Sequence, residues 1–159
     1  MSMIVTWLVI AAASVIVAVG INRFSPADAR WFGRLRRPTW LTFEWAIPII
    51  WTVIFLCGIT SASLVWRSAP GASHTRQLMM GFLIQEALIM AFTPATLRLR
   101  SLRAGALIGG IGFVFGLFLT PAVWKVSATA GWLLVPYLIW SPIGTYTTWV
   151  MSKLNPESA

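Results

Sequence analysis

The sequence predicts an all-α membrane protein, a five-transmembrane-helix bundle in a single domain over residues 1–159. Three observations predict it. Hydrophobic residues make up 58% of the chain and charged residues 10%, against about 25% charged in an ordinary soluble domain. Polar side chains therefore cannot cover its surface. Five apolar runs, over 3–21, 45–66, 78–97, 104–123 and 130–151, each come near the ~20 residues that a helix needs to cross a hydrocarbon core. Finally, the basic residues divide unevenly between the two sides that five spans create. One side takes Arg23, Arg30, Arg34, Arg36, Arg37, Arg98, Arg100, Arg103 and Lys153, and the other only Arg67, Arg76 and Lys125. The positive-inside rule then sets the N-terminus outside and the C-terminus in the cytoplasm. The net charge of +8 becomes a property of cytoplasmic loops, and no nucleic-acid partner is expected.

The first run has no positively charged leader before Trp7, and its length suits a retained helix better than a cleaved signal. The lack of an amphipathic Arg/Ser-rich leader points to a bacterial inner membrane. After it comes the connector, residues 22–44, whose stretch "WFGRLRRPTW" interleaves Arg34, Arg36 and Arg37 with bulky aromatics. Such a mixture suits a membrane surface. Tryptophans recur near the ends of the spans, at positions 7, 31, 40, 45, 66, 124, 132 and 149, as in an aromatic belt with the ring buried and the indole N–H near headgroups. Trp51 and Trp140 fall well inside spans instead.

On the second span Trp51, Phe55, Gly58 and Ala62 follow i, i+4, i+7, i+11 and share one face. The third span carries Gln85 and Glu86. An ionisable group at that depth costs about 2.5–3.5 kcal/mol on translocon scales, so it faces protein or trapped water. Either it binds a cationic or hydroxylated ligand, or carries a proton, or it is a hydrogen-bonded structural group. In the fourth span Gly105 and Gly109, then Gly112 and Gly116, form small-xxx-small pairs that let backbones approach closely. They serve packing inside the bundle, or a contact between two protomers. The fifth span repeats the pattern of the second, with Tyr137, Trp140, Gly144 and Thr147 or Thr148 on one stripe. Pro136 and Pro142 are expected to interrupt and bend it. The two stripes line a site or simply pack helix on helix.

Little here supports acid–base or metal chemistry. His74 is the only histidine, so one chain alone cannot clamp a haem iron between histidines on facing helices. Cys57 is the only cysteine, so neither a disulfide framework nor a cysteine metal cluster is available. Asp28, Glu44 and Glu157 lie at helix edges or in the tail, as capping or solvated groups. No metal site and no catalytic residue is assigned.

The connector and second span, "WFGRLRRPTW" followed by "FEWAIPIIWTVIFLCGITSASLVW", resemble the TspO/MBR family of tryptophan-rich sensory or translocator proteins. Trp31, Leu35, Arg37, Pro38, Trp40, Trp45, Trp51 and Trp66 fit that family's positions. "LLVPYLIW" at 133–140 is similar to its Leu-x-Pro-Tyr-Leu-x-Trp segment, and Gln85 and Pro94 match its third helix. The resemblance implies a five-helix bundle that binds tetrapyrroles, haem and protoporphyrin among them, and in some members sterols. It implies a pocket roofed by the connector and walled by the second and fifth spans, often in a homodimer. Carried over, Trp31, Pro38, Trp40, Trp45, Trp51, Phe55, Gln85, Tyr137, Trp140 and Gly144 are ligand-binding positions. Trp45 stands at the rim, and Gly144 keeps space open beside Trp140. The connector's Arg34, Arg36 and Arg37 would meet ligand carboxylates.

The chain also departs from the family pattern. Ile89 and Phe92 replace an Asn and a Trp, Thr96 and Leu97 an aromatic pair, Thr147 and Thr148 a Leu-Asn, and Leu41 and Thr42 two prolines. Lys153 lies one residue too far from Tyr146 for the sterol-recognition pattern. The expected function is thus binding of a flat hydrophobic molecule, a porphyrin or haem, for sensing, sequestration or transport, with no required cofactor. Light-dependent porphyrin breakdown belongs to the family, but here only tryptophan photochemistry could supply it, and enzyme activity is not expected. The alternative is a structural or assembly subunit of a larger, pigment-containing membrane complex. A proton-coupled transporter using Glu86 fits less well, because the five spans show no inverted repeat.

Overall fold

The computed structural model describes residues 2–21 and 25–159. Arg23, counted above among the basic residues, lies outside them. The helices are α1 (Met3–Ile21), α2 (Pro26–Gly33), α3 (Ile47–Ser68), α4 (Ser73–Arg98), α5 (Leu102–Trp124), α6 (Ala128–Trp132) and α7 (Val135–Leu154). Single 3-10 turns occupy Glu44–Ala46 and Pro156–Ser158. The five apolar runs appear as α1, α3, α4, α5 and α7, of 19, 22, 26, 23 and 20 residues. At a rise of 1.5 Å per residue these reach about 28–39 Å, against a hydrocarbon core of about 30 Å. Glu44–Ser68, α4 and α5 are long and apolar enough to cross a membrane, while α1 carries a shorter apolar stretch, Ile4–Gly20.

Two boundaries differ from the sequence reading for identifiable reasons. The helix containing the third run begins at Ser73 rather than 78, because polar residues 73–77 extend the helix without being apolar. The fifth run is divided into α6 and α7. Pro136 does not bend a span: it sits in the first turn of α7, where a missing N–H is no loss. Only Pro142 lies inside that helix.

The connector is also not a plain loop. Ser25 caps α2 through a reciprocal box with Asp28, and Pro26 follows at the first helical position. The Ser25 hydroxyl and backbone N–H both donate to Asp28 Oδ2, at 2.7 and 3.1 Å. Those bonds, and then the Arg100 guanidinium, hold the Asp28 carboxyl below its usual pKa. The same pair, Arg100 Nη2 to Asp28 Oδ1 at 3.7 Å, ties α2 to the turn between α4 and α5.

Around the bundle α1 packs on α3 and α4, α4 on α5, and α5 on α7, while α3 and α7 touch only sparingly. Leu35, Leu102 and Met151 pack with Trp31 and Phe32 at the connector end. Val65, Leu78, Leu119, Val123, Ala130 and Leu134 fill the far end. The outward faces are apolar, with Ile49, Val53 and Leu56 of α3 and Leu107, Val114 and Phe118 of α5 all exposed. A water-facing helix would place polar side chains there; a lipid-facing one has no reason to.

The glycine pairs of α5 point inward. A Cβ at Gly105 would fall on Thr96 Oγ1 of α4, and one at Gly109 would lie 2.6 Å from Thr145 Oγ1 of α7. At Gly112 and Gly116 it would lie 2.9 Å from Tyr137 Oη and Cε1 respectively. Of the two uses the sequence left open, these glycines serve contact inside the bundle.

Candidate functional site

Among the described residues, two cavities lie between the two packed ends. The one beneath the connector has a volume of about 460 Å³ and is walled by α3, α4, α5 and α7. Seven aromatic residues line it, among them Phe43, Trp51, Phe55, Tyr137 and Trp140. Trp51 and Phe55 stand 5.9 Å apart by ring centroid, and Phe43 meets Trp140 edge-on at 6.3 Å. Both helical stripes read from the sequence thus reach one hollow. Gly144 lines it too, and a Cβ built there would meet nothing within 4 Å. The Trp140 indole Nε1 is buried without a hydrogen-bond partner. An indole N–H is a donor only, so this one can still be used by an acceptor.

An ion pair stands at the connector side of the cavity. Arg37 Nε lies 2.8 Å from Glu44 Oε1, its Nη1 donates to the Leu35 carbonyl at 3.0 Å, and its guanidinium sits 5.5 Å from the Phe32 ring centroid. Arg37 and Glu44 both line the cavity. Arg34 and Arg36 are exposed and do not line it.

The remaining positions named from the sequence are dispersed. Trp31 packs in the apolar cluster under α2, and Pro38 is buried in the connector. Trp45 is 74% exposed. Trp40 stacks on Tyr146 at 6.3 Å on the outer face of α7. Gln85 is buried, donates through Nε2 to the Gly112 carbonyl at 3.2 Å, and lines the other cavity. Trp7, read as a belt residue, donates its indole N–H to Thr60 Oγ1 at 3.2 Å and so joins α1 to α3.

A model of the TspO/MBR family matches residues 5–154. The chain belongs to the TspO/MBR family. Relatives agree with that membership along most of their length. The "Tryptophan-rich protein TspO" of Chlorobaculum tepidum is 28% identical over 88% of this chain and 90% of its own. "Uncharacterized membrane protein YtaB" of Bacillus subtilis is 28% identical over 82% and 83%. The human "Translocator protein" is 27% identical over 76% and 73%. The chain is therefore an integral membrane protein with lipid on its outer faces.

One residue that holds the connector escaped the sequence reading because it lies past the last apolar run. Asn155 is buried, accepts from the Arg36 N–H at 2.8 Å, and donates to the carbonyls of Arg36 at 3.0 Å and Met151 at 2.8 Å. It fastens the connector to the end of α7. Removing such a partner leaves backbone groups unpaired at about 1–3 kcal/mol. Asn155→Leu is expected to speed tryptic cleavage after Arg34 and Arg36 by roughly tenfold, the rate following the population of the opened connector. An unchanged rate would mean that another contact holds the roof.

Proposed function

We propose that this protein binds a planar hydrophobic ligand, a porphyrin or related tetrapyrrole, in the aromatic cavity, for sensing, sequestration or transport. The observation that carries the reading is that Trp51 and Trp140, from different helices, line the same hollow of about 460 Å³. That volume falls within the roughly 300–1,000 Å³ of small-molecule sites. A macrocycle stacked on these rings would gain the offset contacts that aromatic systems favour, and the unpaired Trp140 N–H would meet a ligand acceptor. Arg37 is the connector cation placed to receive a ligand carboxylate. It would exchange Glu44 for the ligand, so the roof opens as the ligand enters. An assembly subunit without a ligand has no use for such a hollow. The arginine distribution supports a bacterial inner-membrane orientation with the connector cytoplasmic.

The test is a titration of the purified protein in detergent with protoporphyrin IX, followed by quenching of tryptophan emission and by the porphyrin absorption band. A Trp51→Phe, Trp140→Phe double variant should bind about fivefold more weakly, since each aromatic pair is worth about 0.5–1.5 kcal/mol beyond its area and phenyl keeps part of that. Binding of unaltered strength would remove these rings from the site.

A further inference from the structure

The second cavity, about 250 Å³, lies nearer the far end of the bundle, between α1, α3, α4 and α5. Phe55, Ile89 and Tyr137 line both hollows and stand as the partition between them. Its walls are almost wholly aliphatic and aromatic, with a carboxyl group set among them. Ser14 Oγ of α1 donates to Glu86 Oε2 at 3.1 Å. Glu86 Oε1 is buried and has no hydrogen-bond partner, and neither has Gln85 Oε1, on a side chain only 7% exposed. Both residues line this cavity, and among the described residues no lysine, arginine or histidine does.

A buried acceptor without a donor is costly, and an ionisable side chain at membrane depth marks a functional site with a partner to be named. The geometry points to a second binding site here, for a small amine: an apolar body with one primary ammonium group seated on Glu86 Oε1. Three features set that class. The unpaired Glu86 Oε1 belongs to an ionisable group, so an ammonium brings it both a hydrogen bond and a counter-charge, where a hydroxyl brings only the bond. The absence of a cation in the lining leaves the carboxylate charge for the ligand to neutralise. The volume sets the size: an apolar cavity of about 150 Å³ holds benzene, so this one takes roughly ten non-hydrogen atoms. The site does not depend on the porphyrin reading, because Glu86 and Gly58 line this cavity and not the aromatic one.

The experiment is calorimetric titration of the detergent-purified full chain with 2-phenylethylamine and, separately, with 2-phenylethanol. The amine should bind at least tenfold more tightly, and Glu86→Gln should remove that preference. Gly58→Leu is the second variant. A Cβ at Gly58 meets nothing within 4 Å, so the leucine side chain starts into the hollow without a clash at its first carbon, and Glu86 is left unaltered. It should abolish amine binding while the thermal midpoint is kept. Equal affinity for amine and alcohol, no binding of the amine to the wild-type chain, or amine affinity untouched by Glu86→Gln would each overturn the proposal. Weakened protoporphyrin binding in the Trp51→Phe, Trp140→Phe variant with amine binding retained would separate the two sites.

Discussion

Gly116→Val is expected to lower the stability of the bundle by about 1–3 kcal/mol, the usual cost of forcing added carbon into a packed interior. The first added atom already lacks room. A Cβ at this position would lie 2.9 Å from Tyr137 Cε1, 3.2 Å from Gln85 Oε1 and 3.2 Å from Leu138 Cδ2. None of these can retreat easily. The Tyr137 ring is buried, with its hydroxyl 3.3 Å from Ser141 Oγ, and Gln85 is held to the Gly112 carbonyl. Strain at Gly116 therefore passes to the α5–α7 contact and to the partition between the cavities. Gly110, on the same helix, is the matched control: a Cβ there meets nothing within 4 Å. Gly110→Ala should be neutral or stabilising by up to about 1 kcal/mol through helix propensity. Thermal unfolding of both variants in one detergent, read by circular dichroism, decides the matter. Equal midpoints for Gly116→Val and wild type would mean that the α5 face has been assigned wrongly.

The same glycines show what could be read from the sequence and what could not. Spacing of four residues identified a close helix contact, because only small residues permit one where lipid supplies no hydrophobic drive. Spacing carries no information about which helix makes the contact, and packing alone supplies Thr96, Thr145 and Tyr137 as the neighbours. The stripe Trp51, Phe55, Gly58, Ala62 was legible as one face. It runs about 16 Å over eleven residue steps, and Phe55 divides it between two cavities. Helix α2 could have been found. Ser25-Pro26 with Asp28 three residues after the serine is a start signal, but eight residues with mixed polarity show no apolar run. Asn155 offered no signal of its own, since an asparagine after a helix is common and its partner Arg36 is 119 residues away.

Gly144→Leu should block protoporphyrin IX from the aromatic cavity, weakening binding at least tenfold, while the chain unfolds at its usual temperature. The two halves of that expectation come from one observation. A Cβ at Gly144 meets no atom within 4 Å although the residue lines the hollow, so the new side chain leaves the backbone into the hollow without a clash at its first carbon. Helix α7 accepts it, because leucine is a better helix former than glycine by close to 1 kcal/mol. The Gly144 carbonyl keeps the Thr148 hydroxyl that donates to it at 2.9 Å. What is lost is room on the helix that carries Trp140, one turn from the indole. A planar macrocycle cannot bend around an isobutyl group, so the penalty falls on the ligand alone. This separates a filled site from a broken fold, which the tryptophan substitutions by themselves do not. Undiminished porphyrin binding in folded Gly144→Leu would place the macrocycle elsewhere on the molecule.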